Sequence, residues 1–110
     1  MEKIYSCSFS YAIDCISGKW KGMILWHLSS ETKRYGELKK LIPNITQKML
    51  TQSLRELERN HIVNRKVYSV VPPKVEYTLT KYGNELIVIL DQLNRWGIKT
   101  CNELNILKDS

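Results

Sequence analysis

The spacing of apolar residues changes several times along this 110-residue chain, and each change marks the edge of an expected element. A short helix from Ser10 to Ile16 would bring Tyr11, Ile13 and Cys15 near one another, and Ser17-Gly18 would end it. In KWKGMILWHLSS (19–30), Trp20, Met23, Ile24 and His27 recur at helical spacing. Trp26 and Leu28 widen that stripe, so a well-buried second helix is expected. Arg34-Tyr35 then predict a short strand, and GELKKLI (36–42) a short helix that Pro43 ends. The next helix is the best signalled: Thr46 is a good N-cap, and Ile45 and Leu50 stand at the two positions of a hydrophobic staple.

Across residues 46–60 the apolar side chains Met49, Leu50, Leu54 and Leu57 fall between about 200° and 340° on a helical wheel counted from Gln47. That half should face the core. Gln47, Lys48, Thr51, Gln52, Arg55, Glu58 and Arg59 fall between about 0° and 140°, and Glu56 lies outside that arc. After Asn60-His61 the period becomes alternating, so VNRKVYSV (63–70) and KVEYTLT (74–80) read as strands. Val71-Pro72-Pro73 must lie in their connection, because proline cannot donate to a sheet ladder; a hairpin with its tip near residues 69–73 follows. The last helix should start at Thr80. From Leu86 a 4-3 spacing selects Leu86, Leu90, Leu93, Gly97, Thr100, Leu104 and Leu107, with Ile87, Ile89, Trp96, Ile98 and Cys101 beside that seam. So much apolar surface exceeds what a small core covers, and pairing with another chain is expected.

The order helix, helix, short strand, helix, helix, hairpin, helix is that of a winged helix-turn-helix: mainly α with a small β-hairpin, as one domain over residues 1–110. At 43% apolar and 25% charged residues the composition is globular. Charge sharpens the functional reading. The net charge is +6, and the segment from Arg34 to Lys74, with nine basic and three acidic residues, carries all of it. A basic excess placed there favours a polyanion, and double-stranded DNA fits the polar face of residues 46–60. Gln suits adenine, Arg or Lys suits guanine, and Thr suits several bases including the thymine methyl. Gln47, Lys48, Thr51, Gln52 and Arg55 are the candidate base readers, because such helices read with their N-terminal half. Arg59, Arg65, Lys66 and Lys74 are assigned to phosphates.

Catalytic and metal chemistry find little here. Cys7, Cys15 and Cys101 have no CxxC spacing, and His27 and His61 form no paired ligand motif, so no metal, cofactor or catalytic set is expected. His27, on the apolar stripe, reads as a core histidine, and Cys15 as a core or interface thiol. Cys7 lies in a polar segment near Lys3, where access and positive charge would suit a reactive thiolate. The terminal residues are expected to be loose. The longest apolar runs, LIVIL (86–90) and MILW (23–26), fall far short of the roughly 18–20 residues that cross a bilayer. No secretory signal is evident, so a cytoplasmic location is expected.

Three stretches, GKWKGMILWHL (18–28), RYGELKKLIPNITQKMLTQSLRELE (34–58) and VPPKVEYTLTKYG (71–83), with Trp96 beyond them, resemble the HxlR-type family of bacterial winged-helix regulators. The resemblance spans nearly the whole chain. It implies a homodimeric repressor or activator without enzyme activity, dimerising through its first and last helices; Tyr11, Leu86, Leu90, Leu93, Trp96, Cys101 and Leu104 are the residues so placed. Two-fold symmetry then implies a pseudo-palindromic operator with half-sites roughly 34–36 Å apart. Two departures stand out. The family usually has an acidic residue and Gly where this chain has Asn60-His61, so either His61 adopts positive φ at a modest cost or Asn60 takes the left-handed position. The family's cysteine-proline pair is here Cys7-Ser8; several members use that cysteine to sense oxidants or electrophiles. A dimer of the implied kind would bring Cys7 of one subunit near Cys101 of the other, so that oxidation or alkylation changes the spacing of the reading helices. Two rival readings are a regulator without redox chemistry that binds a small molecule in a cavity at the dimer interface lined by Trp20, Trp26 and Trp96, and a winged-helix module that binds proteins.

Overall fold

The computed structural model describes residues 4–108. Along them run α1 (Ser8–Asp14), α2 (Lys21–Leu28), β1 (Lys33–Arg34), α3 (Tyr35–Leu41), α4 (Gln47–Arg59), β2 (Val63–Tyr68), β3 (Lys74–Leu79) and α5 (Lys81–Leu104). The strands form one antiparallel sheet in the order β1-β3-β2. In it Val63 lies opposite Leu79 and Tyr68 opposite Lys74, while Lys33 lies opposite Tyr77. This is a winged helix-turn-helix: α3 and α4 form the turn-linked pair, and the β2–β3 hairpin is the wing.

The core gathers Ile24, Leu25 and Leu28 from α2, Leu38 from α3, Leu50, Leu54 and Leu57 from α4, and Ile42, Ile45, Ile62, Val63 and Tyr77 around them. Burying each Leu or Ile side chain contributes roughly 1.5–3 kcal/mol, so the three α4 leucines alone determine which side of that helix turns outward. Its start is fixed locally. The Thr46 hydroxyl accepts the Met49 N–H at 3.1 Å, and Ile45 and Leu50 are both buried, which completes the staple. At α5 the Thr80 hydroxyl accepts the Gly83 N–H at 3.1 Å. A Cβ on Gly83 would lie 2.4 Å from the Ile62 carbonyl oxygen, so only glycine lets α5 begin against the turn between α4 and β2.

Several expectations need correction. Helix α1 starts two residues early, with Cys7 as its N-cap, and the residues before it are not loose where they are described: the Tyr5 hydroxyl donates to the Asp14 carboxylate. In α2, Met23 and Trp26 are exposed and His27 is half-buried, whereas Lys21 is buried with 5% exposure. The apolar stripe of α2 is too broad for this small core, and the long Lys21 stem fits beneath α4. Helix α5 stops at Leu104, where Asn105 turns left-handed with φ 57°, so Leu107 of the expected seam lies beyond the helix. Of the two routes through the turn after α4, the chain takes the first: His61 has φ 65° and Asn60 has φ −86°. Asn60 keeps a negative φ, and its side chain is buried.

Candidate nucleic-acid interface

With its leucines inward, α4 turns Gln47, Lys48, Gln52, Arg55 and Arg59 to the surface, where with Thr51 and Glu56 they border one open depression. Among the described residues no ion pair holds Lys48, Arg55 or Arg59. Thr51 differs from its neighbours. It is half-buried, and its hydroxyl lies 2.8 Å from the Tyr35 hydroxyl, which also donates to the Gln47 carbonyl at 3.0 Å. Thr51 therefore ties α3 to the first turns of α4.

Two residues at the edges of the helical wheel were misplaced by periodicity. Met49, expected inward, is 45% exposed, with its sulfur accepting the Trp20 indole N–H at 3.2 Å. Glu56, expected off the reading face, borders it. Its charge is matched by Lys21, whose ammonium lies 2.8 Å from the Glu56 carboxylate and donates to the Asp14 carbonyl at 2.9 Å. The Lys21 hydrogen bond holds the Glu56 carboxyl below the usual carboxylate range. Glu58 borders a separate concavity with Arg55, Arg65 and Tyr77, which places the wing's Arg65 beside α4.

Further along the wing, Lys66 and Lys74 share one support. Their ammonium groups lie 4.9 Å and 4.6 Å from the Tyr68 ring centre. The Tyr68 hydroxyl donates to Glu76 at 2.7 Å, and Lys74 lies 3.4 Å from the same carboxylate. Sequence reasoning missed Tyr68 and Glu76. The hairpin register, with Lys66 opposite Glu76, was the signal that could have found them.

The residues assigned to dimerisation fall into two groups. Tyr11, Leu86 and Leu90 are half-buried against this chain's own core, and the Tyr11 hydroxyl donates to the Asn60 carbonyl at 2.7 Å. Burial pushes the Tyr11 phenol up to about 12. Leu93, Trp96 and Leu104 are exposed, Trp96 by 65%, as are Val88, Ile89 and Ile98; Cys101 is half-buried. A groove of about 550 Å³ runs between α2 and α5, bordered by Met23, Trp26, His27, Leu90 and Leu93. Trp26 borders it, but Trp20 and Trp96 do not.

All three cysteines are free thiols. Cys7 is exposed; it closes no capping hydrogen bond, but the backbone amides of Ser10 and Phe9 near its sulfur lower its pKa. Lys3, expected to act on Cys7, lies outside the described residues. Cys15 is buried, and burial raises its pKa. Among the described residues no cluster of three or more His, Cys, Asp and Glu side chains is placed to hold a metal ion, and no helix is long and apolar enough to cross a membrane.

A winged pair of helices with an outward basic row defines the class: a helix-turn-helix transcriptional regulator. Residues 15–105 match the HxlR-like helix-turn-helix family model, and the chain belongs to that family. It is 53% identical over 103 residues to the HTH-type transcriptional regulator YtcD of Bacillus subtilis, spanning 94% of this chain and 82% of YtcD. The crystal structure of ytcD superposes with a TM-score of 0.79, covering 87% of this chain and 98% of that one at 54% identity. The redox regulator HypR in its reduced form gives a TM-score of 0.83 at 44% identity, covering 92% of this chain and 100% of that one. Reduced YodB, a transcriptional regulator of B. subtilis, gives 0.77 at 37% identity, covering 88% of this chain and 96% of that one.

Proposed function

We propose that this regulator binds double-stranded DNA sequence-specifically as a homodimer on a pseudo-palindromic operator, and that oxidants or electrophiles acting on Cys7 tune the binding. The whole chain then serves as one cytoplasmic winged-helix unit with flanking dimerisation helices. The observation that carries the DNA reading is the exposed row Gln47, Lys48, Gln52, Arg55 and Arg59 on one face of α4, beside which Glu56 is matched by Lys21 while Glu58 lies exposed toward the wing's Arg65. In this reading Lys48, Gln52 and Arg55 reach base edges, while Arg59, Arg65, Lys66 and Lys74 meet phosphates. The dimer reading rests on the exposed apolar side chains of α5, which need a cover that one protomer does not supply.

Thiol sensing is supported by an exposed cysteine of lowered pKa at the start of α1, and by likeness to HypR and YodB, proteins solved in reduced forms and in oxidized or diamide-treated ones. Cys101, on α5, is the candidate partner across the dimer. Footprinting the purified protein on duplex DNA with and without diamide tests the proposal. Diamide should release the wild type and leave a Cys7→Ser variant bound; equal release of both would remove Cys7 from the account. The groove between α2 and α5 favours a second reading, ligand-responsive regulation without thiol chemistry. Quenching of Trp26 fluorescence by an aromatic ligand, lost in Trp26→Phe, would favour that alternative.

A further inference from the structure

Helix α1 has no buried residue between Ser8 and Asp14, yet two polar bridges tie it to the C-terminal end of α4. The first converges on Asn60, the C-cap of α4, whose residue is only 3% exposed. The Tyr11 hydroxyl donates to the Asn60 carbonyl at 2.7 Å, and the Asn60 side-chain amide lies 3.5 Å from the Asp14 carboxylate. The Tyr5 hydroxyl sits between them, donating to Asp14 and lying 3.3 Å from the Asn60 side-chain oxygen. In the second bridge the Lys21 ammonium spans the Asp14 carbonyl and the Glu56 carboxylate, at 2.9 Å and 2.8 Å.

Both bridges therefore begin at α1 and end within the last five residues of the helix and its cap. The other end of α4 is held separately, by the Thr46 cap and the Tyr35 hydroxyl. Hydrogen bonds are directional and weaken steeply with misalignment, whereas apolar contacts tolerate small slips. A shift of α1 would thus be felt at Asn60 and Glu56 first, and α4 would pivot about its fixed N-terminus. We infer that Asp14, Asn60 and Lys21 are positioning residues that set the pose of the DNA-facing row from α1, so that displacement of α1 is transmitted directly to the recognition helix. This rests on the assignment of α4 as the DNA reader.

The test uses the full chain and, as probe, the duplex that the wild type enriches from a random-sequence pool. In Asp14→Ala with Tyr11→Phe, affinity should fall about tenfold. The slope of log affinity on log salt should stay unchanged, because no phosphate contact is removed. Amide exchange at Asn60, His61 and Ile62, whose N–H groups bond the carbonyls of Glu56, Glu58 and Leu57, should quicken while the centre of β3 stays protected. Asp14→Asn, which keeps an acceptor for Tyr5 and Asn60, should restore both. Tyr11→Phe alone, which keeps the ring in place, gives the same readouts at smaller amplitude should the pair not fold. Unchanged affinity and exchange would overturn the inference, and a shallower salt slope would make these residues DNA contacts instead. A wild type that enriches no duplex would defeat the DNA reading, while the exchange measurement would still decide the coupling of α1 to α4.

Discussion

Replacing Lys21 by Met keeps most of the side chain's volume and removes its charge from the place where α1, α2 and α4 meet. The residue is 5% exposed, and its ammonium has two oxygen partners within 3 Å, the Asp14 carbonyl and the Glu56 carboxylate. Breaking a fully buried ion pair costs about 3–5 kcal/mol, chiefly because the remaining charge is stranded. Glu56 keeps 27% of its side-chain surface, so water partly replaces the lost partner. A loss of about 2–3 kcal/mol follows. Adding Glu56→Gln removes the stranded charge and should return about 1–2 kcal/mol, a coupling normal for groups in contact. Equilibrium urea unfolding followed by tryptophan fluorescence measures all four corners of the cycle. Acid adds a second reading. Because the folded-state pKa of Glu56 is depressed, its contribution is present above the ordinary value of 4.5 and is lost as pH falls through the lower folded value. Lys21→Met should flatten that acid limb. Strict additivity of the two substitutions at neutral pH would refute the reasoning.

Gly83→Ala should lower stability by about 1–3 kcal/mol in thermal unfolding, because the clash with the Ile62 carbonyl outweighs the roughly 1 kcal/mol that alanine brings to a helix. The Tyr11 phenol is raised in the fold from 10.0 to about 12, so its contribution is complete below pH 10 and is lost as pH climbs through about 12. Tyr11→Phe should remove that alkaline limb from the stability profile measured by denaturant titration.

Local signals made α4 legible in the sequence: a capping threonine, a staple and leucines at 4-3 spacing all act within about four turns of the chain. Thr80 marked the start of α5 in the same way. Elements held by distant partners were not legible. The early start of α1 depends on no capping residue, since Cys7 makes no cap bond, and Tyr5 is anchored by residues nine and fifty-five positions away. The burial of Lys21 depends on Glu56, which no periodicity in α2 could announce. Met49 and Glu56 were misassigned because both sit at the margins of the wheel, where neighbouring side chains decide the outcome. Charge counting singled out Lys66 and Lys74, but not the tyrosine whose ring both ammonium groups approach.

The most direct measurement is the affinity of Lys48→Ala with Arg55→Ala for the duplex selected by the wild-type protein, taken across a series of salt concentrations. Base contacts are worth about 1–3 kcal/mol each, so the paired substitution should weaken binding at least about 30-fold at every salt, with the unfolding transition unmoved. Binding at wild-type strength would mean that the outward row of α4 does not read DNA.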